Sequence, residues 1–76
     1  MQKTIGKVLY DTENAKEIKR VSHSYFGDPA GYEEVLYQTE KGHYFIYGVG
    51  GAESKYPAET IKTISKAKVQ AWIDEN

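Results

Sequence analysis

Seventy-six residues with a formal net charge of −1 make one domain and carry no electrostatic case for polyanion binding. There is no cysteine, so disulfide frameworks and thiolate chemistry are excluded. No apolar run approaches the roughly 20 residues of a membrane span, and no apolar stretch follows Met1-Gln2-Lys3-Thr4. A soluble, cytoplasmic protein without a signal peptide is therefore expected. A chain this short buries only about 60–65% of its unfolded surface and has a net stability on the order of 5 kcal/mol.

Residues 5–10 (IGKVLY) read as a first strand, with Val8 and Tyr10 on one face and Leu9 on the other. Asp11, Thr12 and Asn14 supply turn and capping chemistry. The stretch after them is ambiguous. Ala15, Ile18 and Val21 suit a short helix capped by Thr12, whereas Lys19, Val21, His23 and Tyr25 alternate as in a strand. The reading adopted is one helical turn at 13–16 and a second strand over about 17–25. Two glycines and a proline make 26–32 a loop.

Residues 33–51 organise the rest. Val35, Tyr37 and Thr39 alternate with Leu36 and Gln38. After Glu40-Lys41-Gly42, His43, Phe45, Tyr47 and Val49 share one face, with Tyr44 and Ile46 on the other. A three-residue loop ending in glycine predicts a hairpin closed by a left-handed Gly42. Residues 59–64 form a final strand, and Ser65 caps a helix whose Ala67, Val69, Trp72 and Ile73 lie on one side. Lys66 and Lys68 occupy its first turn and Asp74 and Glu75 its last, which opposes the helix dipole at about 0.3–1 kcal/mol per charge.

The expected fold is a single α+β domain over 1–76: a two-layer arrangement, an antiparallel sheet of four or five strands with one C-terminal helix packed on one face. The core should include Val8, Ile18, Val35 or Leu36, Phe45 or Ile46, Ile61, Val69, Trp72 and Ile73. Trp72→Ala should cost about 3–5 kcal/mol.

One helix leaves the other sheet face partly open, and seven tyrosines, two phenylalanines and a tryptophan are hard to bury in so small a core. Such a face can form a protein interface, stack the bases of a single strand, or simply pack across strands. The candidate binding surface is Tyr37, Tyr44, Tyr47, Gly50, Gly51 and Tyr56. Gly48-Val49-Gly50-Gly51 lacks the following helix and Lys-Ser/Thr of a phosphate loop, so a bulge or close backbone approach is the better reading. His23 and His43 have neither cysteine nor helical spacing to build a metal site. Ser22 and His23 point to opposite sides of a strand, and Glu33 and Glu34 diverge as solvated rim charges. No catalytic residues, cofactor or metal are expected.

The charge is uneven. Residues 28–54 carry five acids against Lys41 alone, while 1–27 and 55–76 are net basic. Mixed-sign solvated surface accounts for this.

LYQTEKGHYFIYGVGG, with Lys55-Tyr56 and then Ile61, Ile64, Ser65 and the Ala…Trp helix, resembles small uncharacterised proteins of Firmicutes phages and conjugative or mobile elements. Their signature reads LYxTxxGxYFxYGxGG…KY, and Leu9-Tyr10-Asp11-Thr12 also fits. Val49 departs from it, standing where an acidic residue is common, and the segment between Tyr56 and Ile61 is short. The resemblance implies context rather than chemistry: an accessory, non-enzymatic module that binds a host, defence or element-encoded protein, or pairs as a homodimer. Single-stranded nucleic acid bound through the tyrosines is the alternative partner.

Overall fold

The computed structural model describes residues 1–23 and 29–76. Strands β1 (Gln2–Ile5) and β2 (Val8–Asp11) form a two-stranded hairpin. β3 (Lys16–Ser22), β4 (Tyr32–Gln38), β5 (Tyr44–Gly50) and β6 (Thr60–Ile64) form an antiparallel sheet in that order, followed by helix α1 (Lys66–Glu75). The α+β class and the C-terminal helix on one sheet face are as the sequence predicts. No helix among the described residues is long and apolar enough to cross a membrane.

The central hairpin has the expected register, with Leu36 opposite Ile46 and Tyr37 opposite Phe45. Gly42 closes it at φ +87°, and its amide donates to the Thr39 carbonyl at 3.0 Å. The region 5–10 differs from its reading as one strand. Ile5 pairs with Val8 across Gly6-Lys7, and Gly6 sits at φ +64°. Glycine first in a two-residue loop meets the demand of a type II′ turn, which returns the chain on itself.

That small hairpin covers the sheet face opposite the helix. Tyr10 packs with Val35, Tyr37, Phe45 and Ile61, supported by Ile5, Val8 and Ala15. On the other face Leu36, Ile46 and Val69 pack together, flanked by Tyr44, Ile64, Trp72 and Ile73. Alternation gives one strand two buried faces, so Val35 and Leu36 are both fully buried, as are Phe45 and Ile61. The open face inferred from a lone helix is thus largely filled. Trp72 lies only half-buried at the edge of its cluster.

The first half of β3 also departs from expectation. Residues 13–16 form no helical turn. Asp11 accepts from the Glu13 amide at 3.0 Å and the Asn14 side chain at 2.7 Å, while Thr12 Oγ1 is engaged by Met1 instead of capping. The pairing of β3 with β4 shifts between Glu17 and Lys19, which leaves Ile18 at a bulge, 39% exposed and outside the core. Tyr25 and residues 26–28 of the predicted loop fall outside the described residues, and Tyr32 at the loop's end already belongs to β4.

Candidate functional site

Two regions collect polar chemistry, at opposite ends of the sheet. The first surrounds Glu34, a carboxylate only 4% exposed. It stands opposite Gly48 on the helix-side face of β4. With no side chain on Gly48, the Tyr56 ring lies directly against β5; a Cβ there would come within 2.5 Å of Tyr56 Cε1. Tyr56 Oη then donates to Glu34 Oε2 at 2.6 Å. His23 Nε2 lies 3.3 Å from Oε1, and the ammonium groups of Lys62 and Lys55 lie 3.8 and 4.0 Å from Oε2. Tyr32 stacks on His23 at 4.4 Å and meets Tyr56 edge-on at 5.6 Å.

The reading of Glu33 and Glu34 as solvated rim charges is half right. They do diverge: Glu33 pairs with Arg20 on the opposite face, whereas Glu34 is enclosed. Removing a carboxylate from water costs several kcal/mol unless it is paired and hydrogen-bonded. The Tyr56 hydroxyl bond and the nearby His23, Lys55 and Lys62 meet that requirement. Among the described residues no buried side-chain polar atom lacks a partner. The cluster therefore anchors the segment around Tyr56 to the sheet.

Two phenols report this arrangement. The Tyr47 hydroxyl donates to Glu59 Oε2 at 2.7 Å, and that bond, with burial second, pushes its pKa up to about 12. Burial first and the Glu34 bond second push Tyr56 further above the ordinary phenol range. A phenol whose pKa is raised on folding contributes stability that is present below about pH 10 and lost as pH rises through the folded value. Urea midpoints should accordingly fall as pH increases from about 10 towards 12. Tyr56→Phe and Tyr47→Phe should each flatten that fall; an unaltered slope in both variants would contradict these bonds.

The residues predicted as a binding surface separate into three places. Tyr37 is 9% exposed and stacked on Phe45 at 5.1 Å under the small hairpin. Tyr47 shares that face but lies nearer the Glu59 side, half-buried. Tyr44 points to the helix side at the far end, where its hydroxyl accepts from Gln38 Nε2 at 3.3 Å. Tyr56, Gly50 and Gly51 do come together, around the Glu34 end. There Gly51 N donates to the Gly31 carbonyl and Glu53 N to the Pro29 carbonyl, both at 3.0 Å. The six residues do not form one surface.

The second region is the end bearing the β4–β5 turn. A groove of about 560 Å³ separates that turn from the small hairpin, lined by Val8, Leu9, Ala15, Glu40, Lys41 and His43 among others. Leu9 is 52% exposed, the most exposed large apolar side chain among the described residues. A second groove, of about 390 Å³, runs from the same turn to the start of α1 and is lined by Tyr10, Gly42, His43, Thr63, Ser65 and Lys66. His43 borders both. No known family, curated protein or solved structure matches this chain.

Sequence reasoning places His43 on one strand face with Phe45 and sets it aside as a metal ligand, and places Leu9 on the strand face opposite Val8 and Tyr10. Their grouping depends on the return at Gly6, whose signal was a glycine flanked by Ile5 and by Val8-Leu9-Tyr10. The other available signal was the pair of lysines set against the dipole in the first turn of α1.

Proposed function

We propose that the chain is a non-enzymatic binding module that engages another protein through the groove between its small hairpin and the β4–β5 turn. The observation that carries this reading is the groove itself, where Val8, Leu9 and Ala15 line one cleft together with Glu40, Lys41 and other polar residues. Apolar centres with polar rims are the usual anatomy of protein interfaces. The resemblance to small proteins of Firmicutes phages and mobile elements supports a host or element-encoded partner, and the lack of cysteine suits a cytoplasmic setting.

A single-strand reader would need tyrosine rings free to stack on bases. Tyr37 and Tyr56 are buried, and Tyr44 and Tyr47 are half-buried with hydroxyls engaged. The protein reading is favoured for that reason.

Leu9→Glu tests it. A tagged parent chain should capture a specific protein from cells of the native host, and the variant should lose at least about ten-fold in affinity. Because Leu9 is exposed, the variant's stability should stay within about 0.5 kcal/mol of the parent. Mixed-sequence single-stranded DNA at low salt should show no anisotropy change at micromolar protein. Saturable DNA binding that weakens with salt, at a slope of about −0.7 per phosphate contacted, would overturn the proposal in favour of the nucleic-acid reading.

A further inference from the structure

Among the described residues, β2 pairs with β1 alone and keeps its other edge unpaired. Ile5 pairs with Val8 across the two-residue loop, and the Thr12 amide donates to the Met1 carbonyl at 3.0 Å. Main-chain groups alternate in direction along an antiparallel pair, so Val8, Tyr10 and Thr12 turn theirs towards β1. Leu9 and Asp11 turn theirs away. No backbone bond outside the strands reaches the Leu9 amide, the Leu9 carbonyl or the Asp11 amide among the described residues. Leu9 is also 52% exposed.

The groove of about 560 Å³ runs along that edge. Lys7, Val8, Leu9 and Asp11 all line it, although neighbouring side chains of a strand point to opposite faces. A cleft meets side chains of both faces where it follows the strand's edge. The outer edge of β3 is guarded by contrast. Its pairing is bulged at Ile18, and Lys16, Glu17, Lys19 and Arg20 occupy most of it, two devices that block an added strand. β2 has neither: it pairs in continuous register, and Asp11 is its one charged residue.

We propose that an extended, acidic-flanked segment of the partner protein lies in this groove and adds to the β2 edge as a third strand of the small sheet, granted the reading of the groove as a protein-binding site. An extended backbone supplies the acceptors and donors that the outward groups of Leu9 and Asp11 lack. A residue paired with Leu9 shares its face, which calls for an apolar or β-branched side chain. The charges in the groove call for acidic neighbours to that residue. Asp11 already accepts from the Glu13 amide and the Asn14 side chain. That leaves Lys7 and Lys41 against Glu40, none of them in an ion pair among the described residues. A second copy paired edge to edge about Leu9 would set Lys7 against the engaged Asp11 carboxylate, so a separate acidic segment fits better.

The test is titration of the ¹⁵N-labelled chain with the end-capped peptide SEVIVES, with SKVIVKS as the opposite-charge control. Saturable binding is expected with a dissociation constant on the order of 1 mM, and several-fold weaker binding of the control. Near saturation, exchange of the Leu9 and Asp11 amides should slow several-fold, while the Val8, Tyr10 and Thr12 amides, already turned to β1, change little. Leu9→Pro removes an outward amide without breaking the β1–β2 ladder and should weaken binding at least about ten-fold. Leu9→Ala keeps that amide and should weaken binding far less. The alternation is read on the parent chain, so it decides the matter even where Leu9→Pro unfolds. Even protection over residues 8–12, no change at Leu9 and Asp11 with about 5 mM peptide, or equal loss in the proline and alanine variants would overturn strand addition. So would slowing of the same amides when the chain alone is concentrated, which would give the edge to a second copy. Capture of a host protein without the alternation would uphold the groove and overturn the added strand. Alternation with the peptide and no host protein captured would uphold the strand edge and overturn the host-partner reading.

Discussion

Truncating Tyr56 to alanine should cost about 3–5 kcal/mol, close to the whole stability of a domain this small. The ring is 5% exposed, fills the space that Gly48 leaves over β5, and meets Tyr32 edge-on. Its loss leaves a cavity and withdraws the 2.6 Å bond from the buried Glu34 carboxylate. Tyr56→Phe removes the hydroxyl alone and should cost about 1.5–3 kcal/mol, the range for bonds to charged groups. Trp72→Ala, expected from sequence to be as severe as any core truncation, should fall below Tyr56→Ala. Trp72 sits half-buried at the rim of the Leu36, Ile46 and Val69 cluster, where water can fill the space it vacates. Urea melts of the three variants give the order directly, and Trp72→Ala proving the most damaging would overturn it.

Alanine at Gly51 should cost about 3 kcal/mol, more than valine at Gly42. From sequence alone the opposite order is expected, because Gly42 closes a hairpin and Gly51 lies beyond the strand. Gly42 does need its left-handed conformation, and a side chain there is strained by about 1–2 kcal/mol. Yet a Cβ at Gly42 would have nothing within 4 Å. A Cβ at Gly51 would overlap the backbone carbonyl of Pro29, which also accepts the Glu53 amide. The two backbones would have to part, weakening the bonds that tie the 51–54 turn to the segment before β4. Gly51 is a crossing point between chain segments. Denaturation midpoints in the order parent, Gly42→Val, Gly51→Ala are expected; the reverse order of the two variants would show that this crossing can relax.

What the sequence discloses is local. The register from Val35 to Tyr47 follows from period-two alternation around Gly42, and the helix follows from the spacing of Val69, Trp72 and Ile73. What stays hidden depends on contacts between distant segments. Alternation left Val35 or Leu36 as core, since one helix covers one face; both are buried because the hairpin turning at Gly6 supplies a second cover. Glu34 looked solvated because its partners His23, Tyr56 and Lys62 come from three other parts of the chain. Sequence alone puts Tyr37 and Tyr56 on a surface, because aromatic content shows how many rings need a place and not which ones find it. The grooves beside His43 were legible only in outline, through the glycine at position 6 and the lysines opposing the dipole of α1.

The central claim is that binding belongs to the end of the sheet bearing the β4–β5 turn, and that the Glu34 end serves the fold. Hydrogen exchange of the chain, free and with its captured partner bound, tests this most directly. Slowed exchange on binding is predicted in residues 7–15 and 39–43, with the amides of 47–56 exchanging as in the free chain. Protection confined to 47–56, with 7–15 and 39–43 unchanged, would contradict it.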